Sequence, residues 1–200
     1  MSARGERGPE RLEAFSDGVI AIIVTIMVLE LKVPHSTEPA ALLALWPQFA
    51  SYALSFFLVA IYWMNHHHLF TMVERVSHNV LWANNLLLFC ISLIPFVTAY
   101  VGENHLSPFG CSLYAGVMFV CGLAFWTLAR AIAAVSKDSA AIMARDKAAT
   151  RKNMAALAIY AVASAAAWVS PLISLALIGV VAVMYAVPTV GIEPKRQKAP

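Results

Sequence analysis

Long apolar runs alternate with short polar stretches along the whole chain, at about 12–33, 44–70, 79–101, 108–134, 153–170 and 172–189. A helix needs roughly 17–25 residues to cross a ~30 Å hydrocarbon core. The pattern therefore predicts an all-α integral membrane protein with six spans per subunit. Pro34 and Pro39 end the first run and bracket a short loop. Pro95 predicts a kink in the third. The fourth run and the last two are rich in Gly, Ala and Ser, which let membrane helices approach closely, and read as scaffold.

Composition agrees with the pattern. The chain of 200 residues is 60% hydrophobic and 12% charged, with mean hydropathy +0.72, against about 45–50% apolar and 25% charged in soluble domains. No internal repeat or second domain is visible. Residues 1–191 read as one membrane domain and 192–200 as a disordered basic cytosolic tail. The first run is too long for a signal-peptide core, and no small-residue cleavage pattern follows it.

Charge adds the orientation. Arg4, Arg7, Arg11, Arg75, Arg130, Lys137, Arg145, Lys147, Arg151, Lys152, Lys195, Arg196 and Lys198 fall on one side of the predicted spans, and Lys32 alone on the other. Cytoplasmic loops carry the excess of Lys and Arg, so both termini are expected inside. The net charge of +3 is then topological and not a nucleic-acid footprint. The basic segment "SKDSAAIMARDKAATRK" reads as a solvated extension of helix four near anionic lipid. Cys90, Cys111 and Cys121 lack metal or redox spacing and read as packing residues.

The first run, "RLEAFSDGVIAIIVTIMVLELKVP", carries the chemistry. At about 100° per residue, Phe15, Ile22, Ile26 and Leu29 share one narrow stripe, with Thr25 at its shoulder. Asp17 points about 140° away from Ile22. An unpaired carboxylate in lipid costs several kcal/mol, so Asp17 is expected to find donors or inner-leaflet water; a plain interfacial cap is the simpler alternative. Donors wait at the inner ends of spans two and three: Asn65, His66, His67, His68, Trp82, Asn84 and Asn85. Together they predict a polar knot tying the first three spans. Successive helical histidines splay about 100° apart and cannot converge on one ion, so no metal is expected. "TVGI" at 189–192 resembles the potassium-filter signature, but it follows the last span with no re-entrant helix before it, and is set aside.

"RLEAFSDG" at 11–18, the run behind it, "WMNHHHLF" in span two and "NNLLLFCISLIPFVTAY" in span three resemble the transmembrane protein 175 family of potassium channels, in its single-repeat bacterial form. The likeness is dense over roughly 11–101. It implies a homotetramer in the bacterial inner (plasma) membrane, with a pore on the fourfold axis lined by helix one. Ile22, Ile26 and Leu29 would form the hydrophobic constriction, and Thr25 would contribute to selectivity. Arg11, Phe15, Ser16 and Asp17 would fasten helix one to His66, His67, Trp82, Asn84 and Asn85. The implied partners are further copies of the chain, lipid and permeant potassium, with no cofactor. Animal members carry two such repeats, so features of a second repeat do not transfer.

A proton-coupled secondary transporter using Asp17 and His66–His68 is the competing reading, since intramembrane ionisable groups often mark one; no paired discontinuous helices or inverted repeats support it. An enzyme is not expected, because HExxH, GxSxG and spaced carboxylate pairs are missing from the sequence.

Overall fold

The computed structural model describes residues 8–73, 75–135 and 139–186, the side chains of 139–148 excepted. All regular structure among them is helical: α1 (Pro9–Leu29), α2 (Pro39–Leu43), α3 (Trp46–Phe70), α4 (His78–Ser92), α5 (Ile94–Glu103), α6 (Pro108–Ala133), α7 (Ser139–Ala166) and α8 (Pro171–Ala186). α1, α3, α4–α5 taken together and α6 are long and apolar enough to cross a membrane. α8 is apolar but shorter.

Local chemistry explains the boundaries. Proline opens α1, α2, α6 and α8, where its missing N–H is one of the donors a helix start leaves unpaired anyway. Ser77 and Ser107 cap α4 and α6, their hydroxyls accepting from Val80 N at 3.3 Å and Gly110 N at 3.2 Å. The kink expected at Pro95 falls at Leu93, the single residue between α4 and α5, whose backbone stays helical at φ −82° and ψ −14°, because the proline can neither donate to, nor fit against, the carbonyl one turn back.

Two boundaries differ from expectation. α1 ends at Leu29, and Glu30 to Lys32 lie beyond it. The basic segment after α6 is not an extension of the fourth helix: α6 stops at Ala133, and residues from Ser139 belong to α7, which continues unbroken into the fifth apolar run. Alanine-rich sequence on both sides of residue 153 has high helix propensity, so a charged stretch and an apolar one share one helix. The tail 192–200 and the stretch 189–192 lie outside the described residues.

α6 packs against α4, α5, α7 and α8, whereas α1 packs against α3, α4 and α5 at the margin of the bundle. Tyr114, Met118, Cys121 and Leu128 of α6 are fully buried. The three cysteines are free and buried. Between lipid-spanning helices the gain comes from close packing and interhelical hydrogen bonds. Both are present: the Thr98 hydroxyl donates to the Ile94 carbonyl and meets the Ser55 hydroxyl, each at 2.7 Å, and Ser55 meets the Tyr114 hydroxyl at 2.7 Å, joining α5, α3 and α6. Gly102 permits a close backbone approach, since a Cβ there would sit 2.9 Å from the Gln48 Cα of α3.

Candidate functional site: the uncovered face of α1 and the knot behind it

α1 divides cleanly into two faces. Leu12, Ser16, Ile20, Ile23 and Met27 recur at three- and four-residue steps and face the bundle. On the other side Ile22, Ile26 and Leu29 stand 59%, 41% and 80% exposed, beside Phe15 at 56%. The contrast with Ile20, Ile23 and Met27, at 3%, 4% and 2%, shows that two sets of aliphatic residues with the same chemistry have opposite environments. The Thr25 hydroxyl lies on the exposed side and donates to the Ile22 carbonyl at 2.9 Å, which leaves its oxygen lone pairs outward. A groove of about 470 Å³ runs beside the stripe, walled by Val19, Ile22, Ile23 and Ile26 of α1, by Glu30, and by Ser92, Pro95, Phe96 and Ala99 across the α4–α5 kink.

Behind the stripe lies a buried chain of three polar side chains from three helices. Ser16 of α1 donates to the Leu12 carbonyl at 2.8 Å. Asn84 of α4 donates to the Ser16 oxygen at 2.9 Å. His66 of α3 meets the Asn84 carbonyl oxygen at 2.8 Å through Nε2 and stacks on Phe70, ring centres 4.3 Å apart. All three members are 0% exposed. A polar group left unpaired in such a place costs about 1–3 kcal/mol, so each link discourages separation of the helices.

A second set of contacts flanks the first. Trp63 donates from Nε1 to Asp17 Oδ1 at 2.9 Å, and His67 Nδ1 meets Glu13 Oε1 at 2.7 Å. The Trp63 and His67 rings stack with centres 6.1 Å apart. Glu13 and Asp17 are one turn apart on α1, as are Trp63 and His67 on α3. Because the two helices run antiparallel, the pairs cross-match as two rungs of a ladder.

The structure thus brings Ser16, Asp17, His66, His67 and Asn84 to the α1–α3–α4 contact. Arg11, Phe15, Trp82 and Asn85 stand exposed on the outside of the chain, with Trp82 edge-on to His78. His68 is also exposed, and Asn65 donates to its own helix at the Ile61 carbonyl, 2.7 Å away. Glu13 and Trp63 are members the sequence reading did not single out. The signal was there as two i, i+4 pairs of complementary donors and acceptors on successive helices. Among the described residues no three His, Cys, Asp or Glu side chains gather as metal ligands do. At the far end of α1, Lys32 pairs with Glu103 at 2.8 Å.

Comparison with known proteins places the chain in a family. The family described as endosomal/lysosomal potassium channel TMEM175 matches residues 11–95, which contain α3, α4, all of α1 but its first two residues, and every member of the knot. A protein of Chamaesiphon minutus named as a potassium channel is 34% identical over 187 residues, covering 88% of this chain and 92% of its own. The chain belongs to the TMEM175 family. A crystal structure of a lysosomal potassium-selective channel TMEM175 homolog from Chamaesiphon minutus superimposes with a TM-score of 0.80 at 32% identity, over 89% of this chain and 96% of that one.

Other TMEM175 relatives match over shorter stretches. A potassium channel of Chryseobacterium sp. (strain P1-3) is 48% identical over 122 residues, 61% of this chain and 64% of the relative. The match therefore spans somewhat under two thirds of that relative's length. The human endosomal/lysosomal proton channel TMEM175 is 35% identical over 98 residues, 43% of this chain and 19% of the human one.

Proposed function

We propose that the chain is one subunit of a passive, potassium-permeable cation channel of the bacterial plasma membrane. Six spans per subunit place both termini in the cytosol. Four copies surround an axis lined by α1, Ile22, Ile26 and Leu29 form a hydrophobic constriction, and Thr25 contributes to selectivity. The carrying observation is the uncovered aliphatic face of α1 (Ile22 at 59% and Leu29 at 80% exposed) on a helix whose opposite face is fixed by hydrogen bonds, in a chain similar to proteins named as potassium channels. A ring of such side chains closes a pore by excluding water, and modest dilation wets it without a charged filter. The knot in this reading holds the outer side of the pore helix. Potassium is the permeant ion and no cofactor takes part.

The test is flux from liposomes that hold the purified protein, loaded with potassium chloride and diluted into sodium chloride. Flux without a proton gradient, faster in Ile22→Asn, supports the channel. Flux that requires a proton gradient and saturates at low turnover supports the proton-coupled transporter with Asp17 and His66–His68 instead.

A further inference from the structure

The hydrogen-bond chain behind α1 has only one possible direction. Ser16 has a single hydroxyl hydrogen, committed to the Leu12 carbonyl, so toward Asn84 its oxygen can only accept. Asn84 must present its amide nitrogen to Ser16 and its carbonyl oxygen to His66. Neutral His66 then carries its hydrogen on Nε2, and Nδ1 is a bare lone pair. That Nδ1 is buried and has no hydrogen-bond partner. Each of the other polar side-chain atoms of Ser16, Asn84 and His66 has a hydrogen-bond partner, which leaves one unpartnered basic nitrogen at the contact of α1, α3 and α4.

The geometry points to His66 Nδ1 as a proton-binding site whose occupation loosens α1 from α3 and α4. The reading that α1 is the pore helix underlies the functional half of this inference; the proton site itself does not depend on it. The proton comes from bulk water on the side of the membrane where the knot lies and returns there. No other bond changes, since Nε2–H continues to donate to Asn84. What changes is the ring's charge. A protonated imidazole presents Nδ1–H where no acceptor stands, and a buried donor or charge without a partner is strongly disfavoured.

The charged and titratable groups facing His66 are Glu13 and Asp17 of α1 and His67 of its own helix; α4 contributes the neutral Asn84. Both carboxylates are engaged, Glu13 with His67 and Asp17 with Trp63. A protonated His66 gains a partner only by drawing one of them out of its rung. Either the ladder or the buried chain then reorganises, and both fasten the helix that bears Ile22, Ile26 and Leu29.

His66→Gln tests this without emptying the site, because the glutamine amide keeps a donor toward Asn84 but takes up no proton near neutral pH. Asn84→Asp acts the other way, since a carboxylate beside Nε2 favours the protonated ring. Potassium flux from liposomes buffered equally on both sides is expected to rise about threefold or more in wild type between about pH 6.5 and 4.5, on the acid side of the usual histidine midpoint, because a buried ring without an Nδ1 acceptor resists the charge. The rise disappears in His66→Gln, and its midpoint moves to higher pH in Asn84→Asp. A flat or falling wild-type profile, or an unchanged rise in His66→Gln, overturns the proposal. Nitrogen-15 histidine spectra of the detergent-solubilised protein, assigned by the signal missing from His66→Gln, follow the ring directly. Protonation at Nδ1 is expected within the same range, and a ring that stays neutral throughout overturns the site. If the ring titrates but folded protein passes no potassium at any pH, the proton site stands, and the channel reading and the loosening that rests on it fail.

Discussion

Trp63 donates its indole N–H to Asp17 across the α1–α3 contact at 2.9 Å, and one turn away His67 meets Glu13 at 2.7 Å. The carboxylate of the FSD stretch is thus neither a bare charge in lipid nor a cap. It is half of an outer rung whose partner is an exposed aromatic side chain that stacks on His67 and turns its single donor toward the neighbouring helix.

Trp63→Phe removes the donor while keeping a ring. The Asp17 side is partly open to solvent, so the loss is expected to be on the order of 1 kcal/mol. A thermal unfolding scan in detergent should show a small fall in midpoint with assembly intact. An unchanged midpoint would mean that water replaces the indole at no cost.

Asn84→Leu cuts the buried chain in the middle. It strands His66 Nε2–H and deprives the Ser16 oxygen of its donor, both in fully buried positions, for an expected loss of about 2 kcal/mol or more. Size-exclusion profiles and unfolding midpoints should show it more strongly than Trp63→Phe. The reverse order would place the main fastening in the ladder.

Ile22→Asn puts an amide on the exposed stripe. If four such side chains ring the axis, the dewetted constriction fills with water and flux rises by about tenfold or more. Stability should change little, because the side chain is mostly exposed within the chain. Liposome flux and a melting curve on the same preparation separate the two effects.

Thr25→Val keeps the shape and removes the outward oxygen. Preference for potassium over sodium is expected to fall by about twofold to fivefold, with total flux retained. Bi-ionic reversal potentials measure it directly. An unaltered ratio would take Thr25 out of the selectivity determinant.

Gly102→Ala probes the scaffold. Its Cβ would meet backbone at 2.9 Å from Gln48 Cα, so α5 and α3 must move apart at a cost of about 1–3 kcal/mol. The unfolding midpoint should fall while potassium preference stays the same.

The sequence by itself determined the class of protein and the stripe on α1. Apolar runs long enough to span lipid leave few alternatives to helices, because backbone groups in hydrocarbon must pair within their own segment. The helical period then puts Ile22, Ile26 and Leu29 on one side and Asp17 on another. The sequence also marked Ser16, His66 and Asn84 as candidates, since polar residues in such runs need partners.

Only the tertiary structure decided who pairs with whom. Asp17 goes to Trp63 and Ser16 to Asn84, although both begin on neighbouring positions of one helix. A 100° step between adjacent residues aims them at different helices, and which helix stands there depends on the packing of α3 and α4 around α1. Arg11, Trp82 and Asn85 have the same polar chemistry as the knot and face outward. The directionality of the buried chain, and with it the vacant nitrogen of His66, likewise follows from distances between three helices that no local pattern encodes.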